Sequence, residues 1–230
     1  MAKKIMKTII IGLLIFGGGS LLLKKKDMSY RQSILKAMYP VIMFPGKLFG
    51  AQKSIKINAE NKLPLVDFFA QKITLNNGTE IVLNQFKGKK ILLVNTASDC
   101  GYTGQYAELE KLHQQYLNDL IIIGFPANDF KGQEKKGDSA IAEFCKINYG
   151  VSFFLAKKSV VIKGAEQNPI FDWLSNNSKN GWCSQAPVWN FCKYLVNENG
   201  VLTHFFPQTI SPLDTQVIAA IETASVAAKN

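Results

Sequence analysis

Beyond about Leu63 the apolar residues come in short blocks, and their spacing alternates between that of a strand and that of a helix. Asp67-Phe68-Phe69-Ala70 and Ile81-Val82-Leu83 flank Asn76-Asn77-Gly78, a turn sequence that closes a β-hairpin. Ile91 to Thr96 reads as a buried strand. It is followed by a helix from about Gly104 to Leu117, with Tyr106, Leu109, Leu112 and Tyr116 on one face. Leu120 to Phe125 is a second apolar run. A helix is expected over Ser139 to Ile147, a short apolar run at Ser159 to Ile162, and a helix near Pro169 to Ser175. Phe191 to Asn197 and Val201 to Phe206 form a second hairpin around Asn199-Gly200, and Leu213 to Ala224 closes the chain as a helix.

Strand, helix, strand, then helix, hairpin, helix is a thioredoxin-like order. The predicted class is therefore α/β, a central mixed sheet flanked by helices with an N-terminal β-hairpin. The chain has 230 residues and is 47% hydrophobic, ample for a core. No internal repeat or low-complexity segment is visible.

The first 62 residues are different. They hold 12 Lys+Arg and 2 Asp+Glu, whereas residues 63–230 hold 15 of each, so all of the formal +10 lies at the amino-terminal end. A nucleic-acid-binding face would belong to the folded part, and that part is neutral, so no nucleic-acid partner is expected. Thr8 to Leu23 carries no charge and is flanked by Lys3, Lys4, Lys7 and by Lys24, Lys25, Lys26. As a helix it would span roughly 24 Å, and snorkelling lysines make up the difference from a ~30 Å hydrocarbon core. The run ends in lysines without a small-x-small cleavage site, which favours an uncleaved anchor over a signal peptide. The expected organisation is a membrane anchor or signal-anchor over 1–26, a basic and apolar interfacial tether over 27–62, and a thioredoxin-fold domain over 63–230. Anchoring through residues 8–23 in a bacterial inner membrane is expected. Lysines on both sides of the run leave the cytoplasmic and periplasmic orientations open.

Cys100 carries the chemistry. It follows the strand run and precedes the helix run, with Gly101 beside it. A thiol at a helix amino end meets unpaired N–H groups and the positive end of the helix dipole, so a thiolate is expected to be favoured there. The position three residues on is Thr103, which excludes a Cys-x-x-Cys disulfide reductase, and the four cysteines are too scattered for a zinc site.

Three blocks around this residue resemble the glutathione peroxidase family. Val94-Asn95-Thr96-Ala97-Ser98-Asp99-Cys100-Gly101-Tyr102-Thr103, with Gln105-Tyr106 and Leu109, resembles its first signature. Gly124-Phe125-Pro126-Ala127-Asn128-Asp129-Phe130 through Gln133-Glu134 resembles the second, and Trp189-Asn190-Phe191 with Lys193-Tyr194-Leu195-Val196 the third. The resemblance covers residues 63 to 226. It implies that Cys100 is the peroxidatic residue and that Gln133, Trp189 and Asn190 are its polar partners, uncharged donors that hold a thiolate without protonating it. Cys145 matches the resolving cysteine of members that use thioredoxin. No metal or organic cofactor is implied. His113 and His204 lie away from the three blocks. The family pattern is departed from at Gly104, where proline is common, at Asp129, at Lys135-Lys136, at Ala127 and at Phe154.

The reaction implied is reduction of hydrogen peroxide or of an organic or lipid hydroperoxide, in an oxidative-stress role, through a sulfenic acid on Cys100. No arginine follows Arg31, so the domain has no guanidinium clamp for the carboxylates of glutathione, and thioredoxin or a similar dithiol is the expected reductant. A one-cysteine enzyme using glutathione, and a peroxide sensor that relays its oxidation to a partner, are the alternatives. Cys183 and Cys192 are further candidate thiols. A short connection before Trp189 points to a monomer.

Overall fold

The computed structural model of the chain describes residues 28–48 and 54–223. The expected anchor at 8–23 lies outside them. Among the described residues no helix is long and apolar enough to cross a membrane.

A six-stranded sheet forms the centre. Strands β4 (Lys90–Thr96) and β5 (Leu120–Pro126) pair in parallel from Lys90 opposite Leu120 to Thr96 opposite Pro126. Every residue of both is buried, as expected for strands covered on two faces. On the other side of β4 lie the antiparallel strands β7 (Lys193–Val196) and β8 (Leu202–Phe206). β1 (Lys56–Ile57) extends that edge by pairing with β8, and β6 (Phe154–Leu155) extends the other by pairing with β5. β2 (Lys72–Thr74) and β3 (Glu80–Val82) form a separate hairpin. The helices are α1 (Tyr30–Leu48), α2 (Gln105–Gln115), α3 (Asp138–Tyr149), α4 (Pro169–Leu174), α5 (Asn177–Asn180) and α6 (Thr215–Glu222). The mixed sheet and flanking helices are those of a thioredoxin-like fold.

Alternation along β4 divides the core. Leu92 and Val94 face one layer with Cys100, Tyr106, Phe144, Cys145 and Phe191. Ile91 and Leu93 face the other, with Phe68, Phe125, Trp173, Cys183, Cys192 and Tyr194. Cys145 is therefore the described cysteine on the Cys100 side of the sheet, while Cys183 and Cys192 lie across it.

Two expectations need correction. The first hairpin strand is Lys72–Thr74, not 67–70, because Asp67 accepts the Phe69 N–H at 2.9 Å and turns the chain there. The short apolar run Ser159 to Ile162 makes a single bridge, Val160 with Gln167. The Val161 N–H is taken at 2.7 Å by the Asp129 carboxylate. Within 27–62, read as a tether, α1 and β1 both pack on the domain, so the folded unit begins before Leu63.

α1 begins with a capping box. The Gln32 N–H donates to Ser29 Oγ at 3.2 Å, and the Ser29 N–H donates to Gln32 Oε1 at 2.9 Å. The helix then runs over the Cys100 loop. Arg31 pairs with Asp99 at 2.9 Å, and Gln32 Nε2 donates to the Ser98 carbonyl at 3.0 Å. The Tyr39 ring sits so close that a Cβ on Gly104 would lie 2.3 Å from it, and one on Gly101 would lie 3.3 Å from Ile42. This explains glycine at 104: a larger residue evicts Tyr39. Gly104→Ala is expected to release α1, speeding amide exchange across residues 30–43 and lowering Tm by ~2–5 °C. Unchanged exchange would refute this role of Gly104.

Candidate active site

Parallel pairing puts the carboxyl ends of β4 and β5 on one edge of the sheet, and antiparallel β7 begins at that same edge. The loops after Thr96 and after Pro126 therefore meet the segment before Lys193. Cys100, Gln133, Trp189 and Asn190 arrive there from three distant stretches of sequence.

Cys100 sits in a turn, and α2 begins five residues later, at Gln105. Thr103 shapes that turn: its Oγ1 accepts the Cys100 N–H at 3.0 Å and donates toward the carbonyls of Ala97 and Cys100. The sulfur is buried, with 1% of Cys100 exposed, and receives the Tyr102 N–H at 3.5 Å. Asp138 of α3 lies beyond the loop that carries Gln133, where Lys131 and Gly132 adopt positive φ of 54° and 62°. Asn190 Nδ2 donates to Gln133 Oε1 at 3.0 Å, and Asn190 Oδ1 is buried with no hydrogen-bond partner among the described residues. Trp189 is half-buried and packs on Phe130, with Lys131 Nζ 5.5 Å from its ring centre.

The electrostatics differ from the sequence expectation. Burial pushes the Cys100 thiol above its ordinary pKa. Hydrogen bonds from the Tyr102 N–H and from the side chains of Trp189 and Asn190 pull it down, and the Asp99 charge adds to the rise. α2 begins five residues after Cys100, beyond the single turn over which a helix dipole acts. Thiolate stabilisation in this geometry rests on Tyr102, Trp189 and Asn190.

Glu134 fastens the two loops together. Its carboxylate is fully buried and accepts both the N–H and the Oγ–H of Ser98 at 2.8 Å, while the Asp99 N–H donates to the Gln133 carbonyl at 3.1 Å. Burial raises the Glu134 pKa, and the Ser98 bonds oppose that rise. Its adjacency to Gln133 in the second signature was the available sequence signal.

Cys145 lies one turn before the carboxyl end of α3 and is wholly buried. Burial raises its thiol to about 12, with Tyr106 opposing. All four cysteines are free thiols. Gly150, at φ 71°, caps α3 by donating to the Cys145 and Lys146 carbonyls. α1 touches this end too: Lys36 Nζ donates to the Asn148 carbonyl at 2.9 Å and lies 4.5 Å above the Tyr149 ring centre. His204 is half-buried against Phe206, and neither histidine has a hydrogen bond to the four gathered residues.

Residues 65–175 match the family described as glutathione peroxidase. A glutathione peroxidase homolog, BsaA, of Staphylococcus epidermidis is 44% identical over 146 residues, 63% of this chain and 89% of that protein. The chain belongs to the glutathione peroxidase family. A glutathione peroxidase-like peroxiredoxin of Chlamydomonas reinhardtii is 40% identical over 147 residues, 64% of this chain and 90% of its own. Among solved structures, the apo crystal structure of Trgpx is 32% identical with a TM-score of 0.52, covering 69% of this chain and 97% of that one. Membership makes this chain a peroxidase, an oxidoreductase. The match begins at residue 65, so α1 and β1 of this peroxidase lie outside it.

Proposed function

We propose that this peroxidase reduces hydroperoxides through Cys100, with Gln133, Trp189 and Asn190 as its polar partners, Cys145 as the resolving thiol, and a thioredoxin-like dithiol as reductant. The observation that carries the reading is the convergence of these four side chains, from three separate segments, at one edge of the sheet. The Cys100 thiolate attacks the terminal oxygen of the hydroperoxide, the O–O bond breaks, and the alkoxide or hydroxide leaves as alcohol or water after taking a proton. Cys100 is oxidised to the sulfenic acid and the peroxide is reduced. Neutral donors around the sulfur suit this step, because they favour the thiolate without delivering a proton to it. The unpartnered Asn190 Oδ1 is an acceptor for the O–H of the incoming hydroperoxide. No metal or organic cofactor is needed.

Resolution then joins the Cys145 sulfur to Cys100 and expels water. Cys145 cannot attack from its place in α3, because burial pushes its thiol up to about 12 and leaves little thiolate at neutral pH. Unwinding α3 from its carboxyl end back through Cys145 into water restores an ordinary thiol pKa and frees the chain to reach the distance a disulfide requires. Gly150 and the Lys36 contact must both be broken in that motion. Its placement in the same core layer as Cys100 favours Cys145 over Cys183 and Cys192.

Peptide mapping of the full chain after one equivalent of hydrogen peroxide tests this. A Cys100–Cys145 bridge is expected. A persistent Cys100 sulfenic acid, turned over by glutathione but not by thioredoxin, would overturn the resolving and reductant assignments.

A further inference from the structure

The turn that presents Trp189 and Asn190 to Cys100 is held in an unusual conformation. Phe191, the next residue, is a fully buried aromatic at φ 70°, a left-handed backbone that side chains with a Cβ rarely adopt. Such a conformation persists only where the surroundings over-determine it. Here two buried polar side chains do so.

Asn95, near the end of β4, grips the turn along its length. Its Nδ2 donates to the Trp189 carbonyl at 2.9 Å, its backbone carbonyl accepts the Phe191 N–H at 2.6 Å, and its Oδ1 accepts the Cys192 N–H at 2.9 Å. Lys193, at the start of β7, holds the other side. Its Nζ donates to the Phe191 carbonyl at 3.0 Å, to Gln105 Oε1 at 2.8 Å, to the Pro207 carbonyl at 3.3 Å and to the Ile210 carbonyl. All of these acceptors are neutral.

A fully buried ammonium with only neutral acceptors is costly to desolvate, and burial lowers its pKa to about 7. Strand pairing alone does not call for a lysine there, since any apolar residue could occupy a buried β-strand position. The Phe191 carbonyl, however, points into the core because its residue is left-handed, and it needs a donor there.

We propose that Asn95 and Lys193 are positioning residues of the peroxidase: together they hold Phe191 left-handed, so that Trp189 and Asn190 face Cys100 and Gln133. Neither touches the reacting atoms. The inference rests on the reading of Cys100 as the peroxidatic thiol. The competing role is stability alone, stitching β4 to β7.

Two substitutions in the full chain separate these roles. Asn95→Asp keeps the shape but sets an acceptor against the Trp189 carbonyl, and Lys193→Met keeps length while removing every donor. The expected result for each is a 10- to 100-fold slower oxidation of Cys100 by hydrogen peroxide in single turnover. Iodoacetamide alkylation of Cys100 should also move to higher pH, because the Trp189 and Asn190 hydrogen bonds to the thiolate are lost. In a Trp189→Phe/Asn190→Ala background, Asn95→Asp should cause no further loss, since the residues it positions are gone.

Folded variants that oxidise at the wild-type rate with an unmoved alkylation profile, whatever their Tm, would overturn the proposal. So would a full additional loss in the double-variant background. If Lys193→Met does not fold, Asn95→Asp and the background test decide alone. A wild-type protein whose Cys100 is not oxidised defeats the peroxidatic reading instead, which keeps the two failures apart.

Discussion

Cys100→Ser is expected to reduce peroxide turnover to below about one thousandth of the wild-type rate, because no other described thiol stands among the polar partners that stabilise a thiolate. A hydroxyl can keep the Tyr102 N–H bond, so the fold should survive with Tm within ~2 °C. The wild-type protein supplies a second readout. Since burial raises the Cys100 pKa, only the small thiolate fraction reacts at neutral pH, and that fraction grows as pH rises toward the raised value. Single-turnover oxidation should therefore climb steeply, up to about tenfold per pH unit, between pH 7 and 9. A flat profile across that window would mean that a pre-reaction opening, not the closed geometry, sets the thiolate population. Residual turnover in Cys100→Ser would move the chemistry to another thiol.

Cys145→Ser is expected to leave the first oxidation untouched and to stop turnover with thioredoxin. Stopped-flow mixing with peroxide should show one full burst followed by steady-state loss of at least about tenfold to a hundredfold, because a sulfenic acid without an internal thiol offers a dithiol reductant no disulfide to exchange with. Mass spectrometry should find Cys100 sulfenic acid, or its over-oxidised forms, in place of the bridge. Unaltered turnover with thioredoxin would remove Cys145 from the mechanism. The requirement that α3 unwind makes the step sensitive to everything that holds its last turn. Lys36 on the Asn148 carbonyl and on the Tyr149 ring ties α1 to that motion.

Much of the domain was legible because its signals are local. β4 and β5 are continuous apolar runs, and the Asn-Gly turn at 199–200 joins β7 to β8. Helix limits moved by only a few residues where caps decided them, as at Gly150 for α3 and Asp214 for α6. β1 and β6 escaped notice because two residues carry no period, and their strand character comes from the partner they join. α1 carried a readable capping box in Ser29-x-x-Gln32, but Pro40 and Pro45 within it, together with the basic composition, argued for a tether. Its packing on Gly101 and Gly104 is a tertiary fact that neither segment declares alone.

By itself the sequence determined the order of the principal strands and helices from β4 onward, the place of Cys100 between a buried strand and a helix, the absence of a dithiol motif and the three blocks whose family resemblance implies roles for Gln133, Trp189 and Asn190. These are properties of spacing and residue type, which survive without coordinates. Only the tertiary structure decided the surroundings of the Cys100 sulfur, where burial raises the thiol pKa and the Tyr102, Trp189 and Asn190 hydrogen bonds oppose that rise. It also set the placement of Cys145 and Cys100 in one core layer, the hydrogen bonds of Asn95 and Lys193 around a left-handed Phe191, and the contact of α1 with both the Cys100 loop and α3. Each depends on groups distant in sequence being brought together in a medium of low polarity, where charge, hydrogen bonding and burial act over ångströms and not along the chain.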